Sequence, residues 1–291
     1  MQIFTYLFRH LIARVSYLVI FSIVCSIPGH AQTWQWAVGQ TLTSSLGTAE
    51  CMAIIRDAAP GRFVVAGKFS GTIQLGSLLL TSVGQEDIFI ARLNAQGNWL
   101  QAARAGGADY DYPAALALDA DGNAVLTGQF QSHSADFGQL ALVNADQTYN
   151  TTDIFIARFN SQGQWVQAQR AGGAFSDFSY GGLALDAKGN AVIAGSFNSS
   201  TLPLGSFTLT ATSAYTPFVA RLGPQGEWVQ AVTAGNAQNR GTWPTSLCLD
   251  QSDNVLIAGT FQGPETQFGT FTLVNADARP GMQMPIFSWP A

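Results

Sequence analysis

Histidine, cysteine and charge are all scarce in this chain, and each scarcity closes off a class of chemistry. The 291 residues hold three histidines, at positions 10, 30 and 133, and the first two fall in a leader that the sequence predicts to be removed. A histidine-based triad would have to use His133, and no nucleophile-elbow sequence accompanies it, so His133 reads as an ordinary loop residue. Zinc sites built from His and Cys lack ligands. Of the three cysteines, Cys25 lies in the leader, leaving Cys51 and Cys248. The repeat described below sets these two about 13 Å apart in height at strand rise, which disfavours a bridge.

Charged residues make up 11% of the chain, against about 25% in ordinary soluble domains. Arg9 and Arg14 belong to the leader, so the remaining 11 of 13 basic residues face 18 acidic ones, a net of −7. That balance excludes a nucleic-acid partner, which needs a basic surface. Helical periodicity is missing as well. No catalytic, metal-binding or cofactor-binding constellation emerges.

What is present begins with the leader. Arg9, His10 and Arg14 precede an apolar run from Val15 to Ile27, and Gly29-His30-Ala31 follows with small residues at the −3 and −1 positions. This predicts a signal peptide over residues 1–31, cleavage near Ala31 and export. The run is shorter than the ~20 residues a membrane span requires, so no stable span is expected after cleavage. Val24 stands where a lipoprotein signal at Cys25 would need a small residue.

The mature chain matches itself at long period. Phe63-Val-Val-Ala-Gly-Lys-Phe69 recurs as Ala124-Val-Leu-Thr-Gly-Gln-Phe130, Ala191-Val-Ile-Ala-Gly-Ser-Phe197 and Val255-Leu-Ile-Ala-Gly-Thr-Phe261. Asp87-Ile-Phe-Ile-Ala-Arg-Leu-Asn94 recurs as Asp153-Ile-Phe-Ile-Ala-Arg-Phe-Asn160 and, more loosely, Thr216-Pro-Phe-Val-Ala-Arg-Leu222. A stretch opening at Trp99, Trp165 or Trp228 follows each, and a short apolar run such as Ala115-Leu-Ala-Leu118 precedes each Gly-x-Phe element. Every unit thus offers four strands, joined at Asp121-Gly122-Asn123 and Ala95-Gln-Gly-Asn98 by tight hairpins.

Four antiparallel strands repeated in this way predict an all-β propeller over residues 32–291, with blades at 51–104, 112–170, 181–233 and 246–288. Trp34-Gln-Trp-Ala-Val38 reads as a lone fourth strand, and Met284-Pro-Ile-Phe287 as a third strand with no fourth after it. The segment 33–38 is therefore expected to complete the C-terminal blade and leave no open edge. The proline-broken ending, Met-Pro-Ile-Phe-Ser-Trp-Pro-Ala291, also fits a truncated copy of a longer propeller.

These elements, together with Leu75-Gly76, Phe137-Gly138, Leu204-Gly205 and Phe268-Gly269 between them, resemble the bacterial β-propeller repeat proteins (SBBP-like repeats) over about residues 33–287. The resemblance implies a secreted or surface-associated protein that acts as a binding or structural module without enzymatic activity.

Chemistry in the chain is weighed against structure. Asp119-Ala-Asp121-Gly-Asn123 has the oxygen spacing of part of a calcium loop, but its copies put Lys188 and Ser252 at the middle ligand, which favours a hairpin turn. Arg92, Arg158 and Arg221 sit inside apolar strands and read as blade contacts, and Trp99, Trp165 and Trp228 as outer-strand packing. The connections between blades are the long and varied ones, and function concentrates on such loops. They carry Asp109, Tyr110, Asp111, Tyr112, Asp177, Phe178, Tyr180 and Trp243, aromatics with interspersed acids that suit a carbohydrate or protein ligand on the long-loop face of a monomer. The rival reading is a carbohydrate-active enzyme using Asp109, Asp111 and Asp177 as its carboxylates.

Overall fold

A computed structural model describes residues 19–23, 34–39, 41–42, 47–148, 150–237, 240–275 and 286–289, and every regular element in them is a β-strand. Three short strands come first, β1 (Val19–Ile23), β2 (Trp34–Gly39) and β3 (Thr41–Leu42). The first repeat follows as β4 (Thr48–Arg56), β5 (Arg62–Ser70), β6 (Thr72–Leu75), β7 (Leu78–Thr81), β8 (Asp87–Asn94) and β9 (Trp99–Gly106). The second is β10 (Asp111–Leu118), β11 (Ala124–Phe130), β12 (Ser134–Phe137), β13 (Leu140–Val143), β14 (Asp153–Phe159) and β15 (Trp165–Ala171). The third is β16 (Asp177–Leu185), β17 (Ala191–Phe197), β18 (Thr201–Leu204), β19 (Phe207–Thr210), β20 (Thr216–Leu222) and β21 (Trp228–Thr233). The fourth is β22 (Gly241–Leu249), β23 (Val255–Gln262), β24 (Glu265–Phe268), β25 (Phe271–Val274) and β26 (Ile286–Trp289).

In each of the first three repeats four strands pair antiparallel in the order β4-β5-β8-β9, β10-β11-β14-β15 and β16-β17-β20-β21, and the first set continues from β9 into β12 and β13 of the next repeat. The fourth sheet has three strands among the described residues, β22-β23-β26. Successive sheets stack face to face, with the inner strands in the order β4, β10, β16, β22. Because side chains alternate along a strand, each sheet feeds two seams. Leu126, Phe155 and Ala157 pack on Val64, Ile88 and Ile90 of the first sheet. Their neighbours Val125, Ile154 and Ile156 pack on Ile193, Phe218 and Ala220 of the third. Burial on both faces is why β8, β14 and β20 read as nearly unbroken apolar runs. The result is a propeller-like all-β repeat fold.

Between the second and third strands of every repeat the sequence promised only a long connection. The structure has a four-residue hairpin there, β6/β7, β12/β13, β18/β19 and β24/β25. Gly76, Gly138, Gly205 and Gly269 open its two-residue turn with φ near +60°, which a side chain resists and a hairpin turn needs. Three of these turns lie against the tryptophan opening the outer strand of their own sheet, with a Cβ at Gly76, Gly138 or Gly205 falling 3.6, 3.6 or 3.2 Å from the indole of Trp99, Trp165 or Trp228. The tryptophans pack as expected.

The recurring arginines tie neighbouring sheets. Arg158 Nη1 donates to Asp119 of its own sheet at 3.0 Å, Nη2 to the Gly189 carbonyl in the next sheet's turn at 2.9 Å, and Nε to Gln167 at 2.9 Å. Arg221 repeats this with Asp186 (2.9 Å), the Asp253 carbonyl (2.7 Å) and Gln230 (2.8 Å). Arg92 pairs with Asp57 and donates to the Gly122 carbonyl at 2.8 Å. The same aspartates close the hairpin turns, Asp119 Oδ1 accepting from the amides of Asp121 (3.1 Å) and Asn123 (2.8 Å). The loop with calcium-like spacing is a turn.

A second set of charges lies inside the first two seams. Asp111 is buried, and its Oδ2 accepts from the Gly107 amide (2.7 Å) and the Ser132 hydroxyl (2.9 Å). Asp87, also buried, accepts from Arg104 at 2.7 Å through Oδ2, and its Oδ1 has no partner. Asp111 Oδ2 and Asp87 Oδ1 come within 2.8 and 3.0 Å of one point beside the Gly106 backbone. Asp177 holds the Gly173 amide (2.7 Å) and Ser199 hydroxyl (3.0 Å) in the same way, beside Asp153 and Arg170. In the third seam the corresponding register positions are Thr216, Thr242 and Thr233.

One expectation is not what the structure contains. The N-terminal strand was expected to complete the last sheet, but β2 pairs antiparallel with β1. The two are close in sequence, so this hairpin closes at far less entropic cost than a pairing across the whole chain. Cys51 and Cys248 are free thiols, as their difference in height predicts.

Two measurements check the seams. Replacing Arg158 with Met strands Asp119 and the Gly189 carbonyl, and should lower the unfolding free energy by about 3 kcal/mol in urea titration. Lys188→Met in the neighbouring turn should change it by about 0.5 kcal/mol or less, and equal effects would show that the clip carries nothing. The second concerns pH. Burial, reinforced by the neighbouring Asp87 or Asp153 carboxylate, pushes Asp111 and Asp177 up to about 6. A folded-state pKa above the unfolded one stabilises most below the unfolded value and loses that contribution as pH rises through the folded one. The melting temperature should therefore climb as pH falls from 7.5 to 5, and Asp111→Asn with Asp177→Asn should flatten that climb. A profile that is identical in the variant would sink the assignment.

Candidate functional site

The site is built by one backbone contact repeated in each sheet. The inner strand carries a β-bulge between Cys51 and Ala53, between Pro113 and Ala115, between Ser179 and Gly182, and between Pro244 and Ser246. Opposite each bulge stands the glycine of the Gly-x-Phe element. A Cβ on Gly67, Gly128, Gly195 or Gly259 would lie 2.0, 2.0, 2.2 or 2.4 Å from the carbonyl oxygen of Glu50, Tyr112, Phe178 or Trp243. No larger residue fits, which is why this glycine recurs. Three of the four also lie under an aromatic ring of the third strand, Phe89, Phe155 or Phe218. The bulge twists the inner strand locally and re-aims its side chains.

Glu50, Tyr112, Phe178 and Trp243 thus share one register position, opposite Lys68, Gln129, Ser196 and Thr260. Gln129 reaches across to the next inner strand and donates to the Ser179 carbonyl at 2.7 Å, and Ser196 donates to that of Thr242. Lys68 instead places its ammonium 4.8 Å from the centre of the Tyr112 ring. It pairs there with Glu86 (3.2 Å) and Glu50 (3.7 Å).

Beside these groups the inner strands and their neighbours line an open pocket of about 370 Å³, formed by Met52, Lys68, Tyr112, Pro113, Ala114, Gln129, Ser179 and Tyr180. From its rim a line of rings crosses into the fourth sheet. Tyr180 stacks on Phe178 at 5.6 Å, Phe178 meets Tyr215 at 6.4 Å, and Tyr215 meets Trp243 at 5.3 Å. Tyr110 and Tyr112 stand 6.0 Å apart on the other side. Burial, then Tyr215, pushes the Tyr180 phenol up to about 12, and burial together with the Glu86 carboxylate raises Tyr112 as well. Both phenols are neutral donors at any physiological pH.

The structure brings together Tyr112, Phe178, Tyr180 and Trp243, not on loops but on the inner strands, which begin earlier than the sequence suggested. Tyr110 is exposed at the edge of the group, and Asp109 is half-buried beside it. Asp111 and Asp177 are turned into the seams, where they hold backbone amides. Sequence reasoning missed Glu50, Met52, Lys68, Glu86, Gln129, Ser179 and Tyr215. The residue between glycine and phenylalanine in each repeat, lysine, glutamine, serine or threonine, was the available signal for part of this set, since it varies where its neighbours do not. Among the described residues no group of three or more His, Cys, Asp or Glu side chains is placed to hold a metal ion, and no helix is long and apolar enough to cross a membrane.

No family model matches the chain. A curated relative, an uncharacterised WD repeat-containing protein of Acanthamoeba polyphaga mimivirus, is 26% identical over 164 residues, covering 53% of this chain. The chain spans 12% of that protein's length. This likeness agrees with the propeller-like repeat fold seen in the stacked four-stranded sheets.

Proposed function

We propose that the protein is an exported binding module of the bacterial propeller-repeat kind, freed of its leader near Ala31 and acting alone outside the cell or on its surface. Its ligand is a saccharide held on the aromatic line beside the inner-strand pocket. The observation that carries this reading is the run Tyr180, Phe178, Tyr215, Trp243, a line of contiguous rings at the rim of a pocket that also presents polar side chains. Sugar rings present C–H faces that pack on such rings, while Lys68, Gln129 and the Tyr112 and Tyr180 phenols supply directed hydrogen bonds. A carbohydrate-cleaving role finds less support, because Asp111 and Asp177 are buried in the seams with protein donors on their oxygens.

A glycan array probed with the purified protein tests this. Saturable binding is expected, and Tyr180→Ala or Trp243→Ala should weaken it at least tenfold, which corresponds to about 1.4 kcal/mol, with the circular dichroism spectrum unchanged. No binding by a well-folded protein, or binding indifferent to both substitutions, rules the saccharide site out.

A further inference from the structure

The pocket and the aromatic line occupy equivalent places in successive seams. Asp87, Asp153 and Thr216 share one register, opposite Phe69, Phe130 and Phe197, and the residues just before them are Glu86, Thr152 and Tyr215. The carbonyl of each accepts an amide from the inner strand of the next sheet, Asp111 N–H onto Glu86 at 2.8 Å, Asp177 N–H onto Thr152 at 2.6 Å and Thr242 N–H onto Tyr215 at 2.9 Å. The next residue of that inner strand is Tyr112, Phe178 or Trp243. From the other side comes the residue between glycine and phenylalanine. Lys68 reaches the Tyr112 ring, Gln129 the Ser179 carbonyl and Ser196 the Thr242 carbonyl. Every one of these seams therefore carries one station on the same backbone frame.

The stations differ in their side chains, and they do so in order. The first, with Lys68, Glu86 and Tyr112, offers charge and a phenol beside the pocket. In the second, Phe178 lies under Tyr180 and the carboxylate of Glu86 has given way to the hydroxyl of Thr152. In the third, Tyr215 and Trp243 leave mainly apolar surface. Tyr180 is exposed, and Phe178, Tyr215 and Trp243 are half-buried, so each ring keeps some surface open. Successive rings stand 5.6, 6.4 and 5.3 Å apart, a step close to the length of one sugar residue.

We propose that the site takes the end of an unbranched glycan chain, with its terminal sugar in the pocket of the first station and the following sugars on the second and third. The inference rests on the saccharide reading given above and names the class of saccharide. A lone sugar would use the pocket and leave the other stations idle. One or two half-buried rings hold a sugar weakly, but linking the sugars makes each further contact intramolecular, so the stations add along a chain. Charged groups stand at the first station alone, which makes the terminus the part read by hydrogen bonds and the rest the part read by its faces.

Calorimetry on the full chain tests this with graded fragments of cellulose, chitin, xylan and amylose, from the monosaccharide to the hexasaccharide. For a polymer that binds, affinity should climb about tenfold between the mono- and the trisaccharide and then level off. Trp243→Ala should remove the last step of that climb. So should Tyr215→Thr, which copies the second seam and keeps the carbonyl that Thr242 uses. Gln129→Ala, at the pocket, should lower every length alike and preserve the steps. Equal affinity for monosaccharide and chain, or an equal loss at all lengths in the Trp243 and Tyr215 variants, overturns the chain reading and leaves a saccharide pocket standing. Failure of every fragment to bind a protein with retained circular dichroism overturns both.

Discussion

The close approach of two backbones opposite the Gly-x-Phe glycine is the constraint on which the rest of this structure depends. With the Tyr112 carbonyl occupying the place of a Cβ on Gly128, the inner strand can follow its neighbour only by bulging. The bulge sets where the inner strand turns its side chains, and four bulges at one height put Met52, Ala114, Tyr180 and Thr245 in equivalent positions. The pocket and the aromatic line therefore owe their existence to a residue with no side chain. Substituting that glycine would disturb both the sheet and the site.

Stacking alone would let the sheets slide, since apolar contacts are not directional. The arginine clips remove that freedom by joining a carboxylate of one sheet to a turn carbonyl of the next. The inner Asp-Asp-Arg groups act differently. Each brings two carboxylates and one guanidinium into an enclosed seam, leaving one negative charge in excess, and the raised pKa of Asp111 and Asp177 is the response, a proton held where a second cation would otherwise be needed. The third seam confirms the logic by substitution within the chain itself, where all three positions become threonine and the charge problem disappears together with its solution.

Strands, turns and the repeat could be read from the residues because they depend on local pattern, apolar runs bounded by Asp-Gly-Asn and Gln-Gly turns. The structural roles of Arg158 and Trp165 followed from burial arguments that needed no coordinates. The hairpins β6/β7 to β24/β25 were not legible, because Leu75-Gly76-Ser77-Leu78 is too short to show alternation and its partner in the preceding outer strand is distant in sequence. The site was half legible. Aromatics at the start of an inner strand advertise themselves, but Lys68 reaches Tyr112 only because two sheets stack in one register, and Asp111 looked like a surface acid until its amide partners were seen.

The repeats differ most at the register position that faces the pocket. Glycine stands opposite the bulge in all four copies and the clipping arginine in three. At the register position facing the pocket the residues are glutamate, tyrosine, phenylalanine and tryptophan, opposite lysine, glutamine, serine and threonine. The contacts made there differ as well, Gln129 and Ser196 donating to the next inner strand while Lys68 lies over the Tyr112 ring and pairs with Glu86. A single asymmetric ligand lying across several sheets, as proposed above, would meet a different side chain on each of them. The gradient from the Lys68–Glu86 pair at one end to Trp243 at the other would orient that ligand, polar end toward the first sheet and apolar face toward the fourth.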